Sequence, residues 1–170
     1  MYNILIRNIL RFIGLVLLQL VVFDNIRIGN FIHPYVYVLF VMLLPFDFPA
    51  WRLMIYGFLI GFAVDIFCGT PGLHAAATVF MAFMRPKIIS ITTRKSDLEN
   101  KTAPTLSEMG IKWFFFYCLL LLICHNLVLF WLEAFSAKLI GLVLLEVLLS
   151  VPMSLIAMIL LMYILTPIKK

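Results

Sequence analysis

Residues 111–132, which read IKWFFFYCLLLLICHNLVLFWL, decide the fold class of this chain. The run is apolar on every side, and its length matches the roughly 20 residues that one helix needs to cross a bilayer core. A membrane β-barrel would instead show segments of about ten residues in which apolar and polar side chains alternate. A second run of the same character covers residues 139–168. The two runs predict an all-α integral membrane protein.

The composition of the whole chain agrees with this prediction. Of its 170 residues, 65% are hydrophobic and 12% are charged, whereas soluble domains have about 45–50% and about 25%. A soluble fold of this size cannot bury so much apolar surface, and disordered chains are poor in the aromatic residues that are frequent here. The net charge of +5 fits loops that set membrane orientation. We therefore expect membrane lipid as surroundings and no nucleic-acid partner.

Six transmembrane helices are predicted within a single domain, residues 1–170. Their expected bounds are 4–26, 31–48, 51–68, 72–91, 111–133 and 138–168, with a polar cytoplasmic loop at 92–110. The second span is unusual because only ten residues lie between Pro34 and Pro45. Ten helical residues reach about 15 Å, half of a bilayer core. A short tilted crossing and a re-entrant segment both fit this pattern.

The distribution of basic residues favours a crossing at the second span. With a cytoplasmic N-terminus and six crossings, eleven basic residues lie inside and two lie outside, as the positive-inside rule requires. The inside set is Arg7, Arg11, Arg52, Arg85, Lys87, Arg94, Lys95, Lys101, Lys112, Lys169 and Lys170, and the outside set is Arg27 and Lys138. We expect a multi-pass protein with both termini in the cytoplasm. No small-residue cleavage site follows the first span, so we expect it to stay uncleaved.

A stripe of Gly57, Gly61 and Asp65 lies on one face of the third span, because these residues are four apart. Glycines at this spacing allow two helices to approach closely. The next helix is expected to begin at Pro71-Gly72-Leu73-His74, where free backbone N–H groups attract an anion. We expect Asp65 to accept hydrogen bonds from the amides of residues 72–74 and so to clamp the turn between the two helices.

Other polar residues inside the spans fall at similar expected depths. Counting 1.5 Å per residue from the outer loops places Gln19, His125 and Glu146 each about 12 Å deep, and Asn126 follows His125. Such groups are costly against lipid. They therefore indicate either hydrogen bonds between helices or an outward-opening cavity for a ligand or partner. No nucleophile–base pair, phosphate-binding loop or metal-ligand spacing occurs, so we expect no catalysis, no metal and no cofactor.

The segment from Gly57 to Ala77 resembles the signature of the MreD family, the rod shape-determining membrane proteins of bacteria. The shared features are a glycine-rich span that ends in Asp65, a short turn, and a helix start at Pro71-Gly72-Leu73-His74. Arg11 followed by Leu18-Gln19 is also similar to the opening of the family.

The resemblance implies a six-helix fold like that of the substrate-binding subunits of energy-coupling-factor transporters. It implies a non-enzymatic scaffold in the inner membrane that belongs to the cell-elongation complex, the elongasome. Such a scaffold binds MreC through transmembrane and juxtamembrane contacts, works with RodA and a class B penicillin-binding transpeptidase, and reaches MreB indirectly. It supports lateral peptidoglycan synthesis and rod shape. The alternative is a small-molecule, vitamin-like binding subunit of a transporter, over which the short outer loops would give little cover.

Overall fold

A computed structural model describes residues 2–25, 32–99, 101–135 and 137–165. This part of the chain is helical and contains no β-strand. Two short 3₁₀ turns cover Lys95–Asp97 and Ala137–Leu139. The helices are α1 (Tyr2–Leu18, continued by a π-helical turn at Gln19–Phe23), α2 (Leu39–Met42), α3 (Ala50–Cys68), α4 (Leu73–Thr92), α5 (Leu106–Met109), α6 (Ile111–Ala134) and α7 (Ile140–Leu165).

Within the described ranges, five helices are long and apolar enough to cross a membrane, namely α1 with its π-helical turn, α3, α4, α6 and α7. Helices α3, α4 and α6 begin and end within one residue of the bounds expected from sequence. The expected span ends at 26, 31 and 166–168 lie outside the described residues. The five helices make this chain a helical membrane protein.

The second predicted span, residues 31–48, is not a helix of membrane length. Its only regular helix is the single turn α2, and residues 32–36 before it have no regular structure. Pro34 and Pro45 explain the difference, because proline interrupts helical hydrogen bonding and disfavours helix in the residue before it. Residues 35–44 are nevertheless all buried. We call residues 33–44 the central segment.

The long helices pack around the central segment. Helix α3 lies along α4, α4 along α6, and α6 along α7, while α1 contacts α2 and α3. Six residues of the central segment have no exposed surface at all, so this segment is the middle of the hydrophobic core: Val36, Tyr37, Val38, Leu39, Val41 and Met42. Irregular backbone is tolerated at membrane depth only where protein surrounds it. The outer faces of the long helices expose large apolar side chains such as Leu10 and Leu148.

A four-residue turn reverses the chain between α3 and α4. Gly69 ends α3 with a φ of 69°, and Gly72 precedes α4 with a φ of 86°. Both values lie in the left-handed region, which glycine adopts without a Cβ penalty. We call this side of the bundle the turn end, and the opposite side, where residues 93–110 connect α4 to α6, the loop end.

Glu108 organises the connection at the loop end. Its carboxylate accepts hydrogen bonds from the N–H groups of Thr102 (2.7 Å) and Ala103 (3.2 Å) and from the Thr102 hydroxyl (2.8 Å). Partial burial opposes ionisation, but these hydrogen bonds and the charge of Lys101 outweigh it and lower the pKa of Glu108. The chain beyond the central segment joins this connection, because the Phe46 N–H donates to the Thr102 carbonyl oxygen at 3.1 Å.

Candidate functional site

Two glycines of α3 allow the backbone of α4 to approach unusually closely. A Cβ atom added to Gly61 would lie 2.6 Å from the Cα atom of Ala75 and 2.6 Å from the His74 carbonyl oxygen. One added to Gly57 would lie 3.0 Å from the Thr78 carbonyl oxygen. Any side chain at position 61 would therefore meet backbone, which cannot rotate away. The glycine stripe fixes the distance between α3 and α4.

The same face of α3 ends in Asp65, whose carboxylate lies against the first turn of α4. Oδ1 accepts a hydrogen bond from the His74 N–H at 3.0 Å, and Oδ2 accepts one from the Ala75 N–H at 2.9 Å. The Thr70 hydroxyl donates to Oδ1, and His74 Nδ1 lies 3.1 Å from Oδ1. An anion is stabilised at this position, because the free N–H groups and the amino-terminal end of the helix dipole both present partial positive charge. Asp65 is only 2% exposed.

One detail of this contact differs from the sequence-based expectation. The amides that bind Asp65 belong to His74 and Ala75, whereas the Gly72 N–H donates to the Thr70 carbonyl oxygen.

Asp65, His74 and Thr70 also have the composition of a catalytic triad. In a triad, however, the histidine contacts the acid and the nucleophile through different ring nitrogens. Here Nδ1 of His74 lies near both Asp65 and Thr70, so this cluster is arranged to hold the turn.

Histidines from three different predicted spans gather around two tyrosines of the central segment. The ring centre of Tyr35 lies 5.6 Å from the ring centres of both His74 and His125, with edge-on geometry. The ring of His33 stacks on Tyr35 at 6.5 Å. The Tyr37 hydroxyl lies 2.8 Å from Nε2 of His125. These contacts bring α4, α6 and the central segment together near the turn end.

The hydrogen-bond chain continues on both sides of Tyr37. Its hydroxyl lies 3.1 Å from Oγ1 of Thr78, which donates to the His74 carbonyl oxygen at 2.7 Å. On the other side, Nδ1 of His125 lies 3.0 Å from Oδ1 of Asn126. The Nδ2 atom of Asn126 is buried and has no hydrogen-bond partner among the described residues. An unpaired buried amide is uncommon in folded proteins.

Polar side chains of the long helices satisfy the backbone of the central segment where it is not helical. Gln19 donates from Nε2 to the Pro34 carbonyl oxygen (3.1 Å) and accepts from the Val36 N–H (2.8 Å). The Ser154 hydroxyl accepts a hydrogen bond from the Tyr35 N–H at 2.8 Å. The Ser150 hydroxyl accepts one from the His33 N–H at 3.0 Å. These side chains supply the hydrogen bonds that a helix would otherwise make for itself.

Arg85 and Tyr117 satisfy the other end of the central segment. The Tyr117 hydroxyl donates to the Met42 carbonyl oxygen and accepts from Nε of Arg85, both at 2.8 Å. Nη2 of Arg85 donates to the carbonyl oxygens of Met42 and Leu44. Arg85 is 1% exposed. In the sequence it counts among the basic residues of the cytoplasmic side, but its guanidinium does not face water, because partners on two other elements hold it inside the bundle.

The structure divides the residues of the expected outer-half cavity between two places. Gln19, His125 and Asn126 are all buried, and the central segment occupies the space between the helices that carry them. Glu146 lies on α7, one turn before Ser150, and is half-buried. Of the motif residues, Pro71 is exposed and Leu73 begins α4 beside the turn.

Several residues that build this site were not singled out from sequence. They are Tyr35, Tyr37, Thr78, Arg85, Tyr117, Ser150 and Ser154. One signal was present: an apolar run too short for a helical crossing needs hydrogen-bond partners from its neighbours. The serine pair on α7, four residues apart and therefore on one face, is such a set of partners.

The fold and the site together define a helical membrane protein that wraps its long helices around a buried, largely irregular segment of its own chain. The chain matches no protein-family model, and comparisons with curated proteins and with solved structures find no match either.

Proposed function

We propose that this protein is a non-enzymatic membrane scaffold of the kind that the MreD resemblance implies. The observation that carries the proposal is that the centre of the bundle is filled by residues 35–44, all of them buried. The buried side chains of Gln19, Arg85 and Ser154 are used to hold this segment. A bundle filled in this way offers the outer surfaces of its helices for binding.

In this role the partner is MreC, bound through its transmembrane and juxtamembrane parts. RodA and a class B penicillin-binding transpeptidase belong to the same complex, and MreB is reached indirectly. The complex supports lateral peptidoglycan synthesis and rod shape from the bacterial inner membrane. Packing between helices in lipid relies on close contact and hydrogen bonds, for which lipid-facing residues such as Leu10 and Leu148 are available.

The proposal includes a topology with six crossings and two cytoplasmic termini. Its support is that Tyr35 of the central segment contacts His74 at the turn end, whereas Phe46, just beyond the segment, bonds Thr102 at the loop end. The excess of basic residues on the loop side also remains when Arg85 is left out. In a variant without native cysteines, Ser96→Cys should react with an impermeant thiol reagent only from the cytoplasmic side. Labelling of position 96 from the outer side contradicts this topology.

The alternative function, a vitamin-like binding subunit, has one observation in its favour. The fully buried Asn126 has an unpaired Nδ2 atom among the described residues, and such a donor is what a small polar ligand would satisfy. The scaffold remains the better supported function, because the aromatic rings of Tyr35 and Tyr37 already pack against His125 in the neighbouring space.

Purification from native membranes in mild detergent distinguishes the two functions. We expect MreC to co-purify and mass spectrometry to find no stoichiometric small molecule. Alanine substitution of lipid-facing residues, including Leu10 and Leu148, should reveal positions that lower MreC retention at unchanged thermal stability. Asp65→Leu serves as the control that lowers both MreC retention and thermal stability. A retained small molecule that is lost in Asn126→Leu, without any MreC, would overturn the scaffold in favour of the alternative.

A further inference from the structure

A cleft opens at the loop end of the bundle, between the last turn of α4 and the residues that follow it. Its volume is about 740 Å³. Its apolar walls include Pro86, Ile91 and Leu98, and its polar walls include Arg94 and Asp97. One cleft therefore has both an apolar part and a charged part.

The position of the cleft along α4 places it across the membrane–water boundary. Helix α4 has 20 residues, which at 1.5 Å each span about 30 Å, the thickness of a hydrocarbon core. Arg94 and Asp97 follow the end of α4 and so lie at the level of the lipid headgroups. Pro86 lies six residues before the end, about 9 Å deeper. The apolar part of the cleft therefore faces acyl chains.

The charges of the cleft are not neutralised by each other. Arg94 and Asp97 both line it, but among the described side chains the only nitrogen–oxygen contact within 4 Å between a basic and an acidic residue joins His74 and Asp65. Asp97 accepts a hydrogen bond from the Ser96 hydroxyl at 3.3 Å. The carboxyl end of α4 adds partial negative charge next to these groups. A ligand that carries only negative charge would be attracted by Arg94 and repelled by Asp97 and by the carboxyl end of α4.

We propose that this cleft binds a zwitterionic glycerophospholipid with a primary ammonium group, of the phosphatidylethanolamine class. Its phosphate pairs with the Arg94 guanidinium, because guanidinium groups bind phosphate well. Its ammonium is attracted by Asp97 and by the carboxyl end of α4. One acyl chain follows Pro86 and Ile91 into the hydrocarbon. This site is independent of the proposed scaffold function, since it requires no protein partner.

The test uses the full-length protein, delipidated in detergent and then mixed with one lipid at a time. Native mass spectrometry measures retention of phosphatidylethanolamine, phosphatidylcholine and phosphatidylglycerol with identical acyl chains. We expect the ethanolamine lipid to be retained most strongly. Arg94→Gln should lower its retention about fivefold, the effect of one basic side chain at a membrane surface. Asp97→Asn should remove the preference over phosphatidylglycerol.

Two matched variants control for general changes in surface charge. Arg52→Gln removes a basic residue that stacks on Trp51 at the start of α3, and Glu99→Gln removes an exposed acid of the connection. Neither residue lines the cleft, so both variants should retain lipid like the wild type. Equal retention of phosphatidylglycerol and phosphatidylethanolamine by the wild type overturns the proposal. So does an Arg94→Gln effect no larger than that of Arg52→Gln.

Discussion

Replacement of Gly61 by alanine should destabilise the protein strongly, although it adds only one methyl group. The new Cβ atom would lie 2.6 Å from the Cα atom of Ala75, whereas ordinary contacts begin at 3.4 Å. Helices α3 and α4 must therefore separate by about 0.8 Å, the difference between these two distances. The contact partner is backbone, so a change of side-chain rotamer cannot relieve the clash.

This separation would also weaken the contact one turn further along α3. The bonds from the His74 and Ala75 amides to Asp65 measure 3.0 and 2.9 Å, and an added 0.8 Å would move both beyond the usual hydrogen-bond range. Overpacking costs about 1–3 kcal/mol, and a hydrogen bond to a charged group contributes about 1.5–3 kcal/mol. Allowing for partial relaxation, we expect Gly61→Ala to lower the unfolding free energy by about 2–4 kcal/mol.

The assay is unfolding in mixed micelles with increasing SDS, followed by tryptophan fluorescence. Gly141→Ala is the matched control, because this glycine lies in α7 and an added Cβ atom meets nothing within 4 Å. That variant should be as stable as the wild type or gain up to about 1 kcal/mol from helix propensity. If both alanine variants unfold at the same SDS fraction, the close approach of α3 and α4 does not stabilise the fold and this reasoning is refuted.

Three further predictions concern single hydrogen-bonding groups. Asp65→Asn, which keeps an acceptor for the α4 amides, should lower the detergent melting temperature less than Asp65→Leu, and equal effects would contradict the clamp. Tyr117→Phe should lower the unfolding free energy by about 1–3 kcal/mol in the SDS assay, whereas Tyr163→Phe, at an exposed position, should leave it unchanged. Equal unfolding free energies of the two variants would argue against the loop-end contacts of Tyr117. The lowered pKa of Glu108 means that its hydrogen bonds order the connection above the ordinary carboxyl pKa of about 4.3 and are lost as the pH falls through the lower folded value. Hydrogen exchange of the Thr102 and Ala103 amides, corrected for its intrinsic pH dependence, should show this loss. Glu108→Gln should show it already at neutral pH, unlike Glu99→Gln.

The long helices and the aspartate contact were within reach of the sequence for physical reasons. Each long helix satisfies its own backbone, so an apolar run of sufficient length is enough to predict it. The contact of Asp65 with α4 is local as well, because only nine residues separate Asp65 from His74. The spacing of Gly57, Gly61 and Asp65 along one helix face carried this information.

The central segment was not predictable in the same way. Its hydrogen bonds come from side chains far away in the sequence, such as Ser150, which is 117 residues from His33. Hydropathy does not distinguish a buried irregular segment from a short helix. For a related reason, a residue count gives the depth of Gln19 and His125 but not their hydrogen bonds to the central segment.

The dependence of the central segment on distant side chains sets the order in which the chain can assemble. The five long helices can each enter the bilayer alone, because their backbone groups are paired internally. Residues 33–44 cannot, since the Tyr35 N–H needs Ser154, which is synthesised 119 residues later. The segment therefore reaches its final place only after α7 has been made. A ribosome-bound chain that stops before residue 150 should hold this segment accessible to protease, and completion of α7 is the step that closes the protein around it.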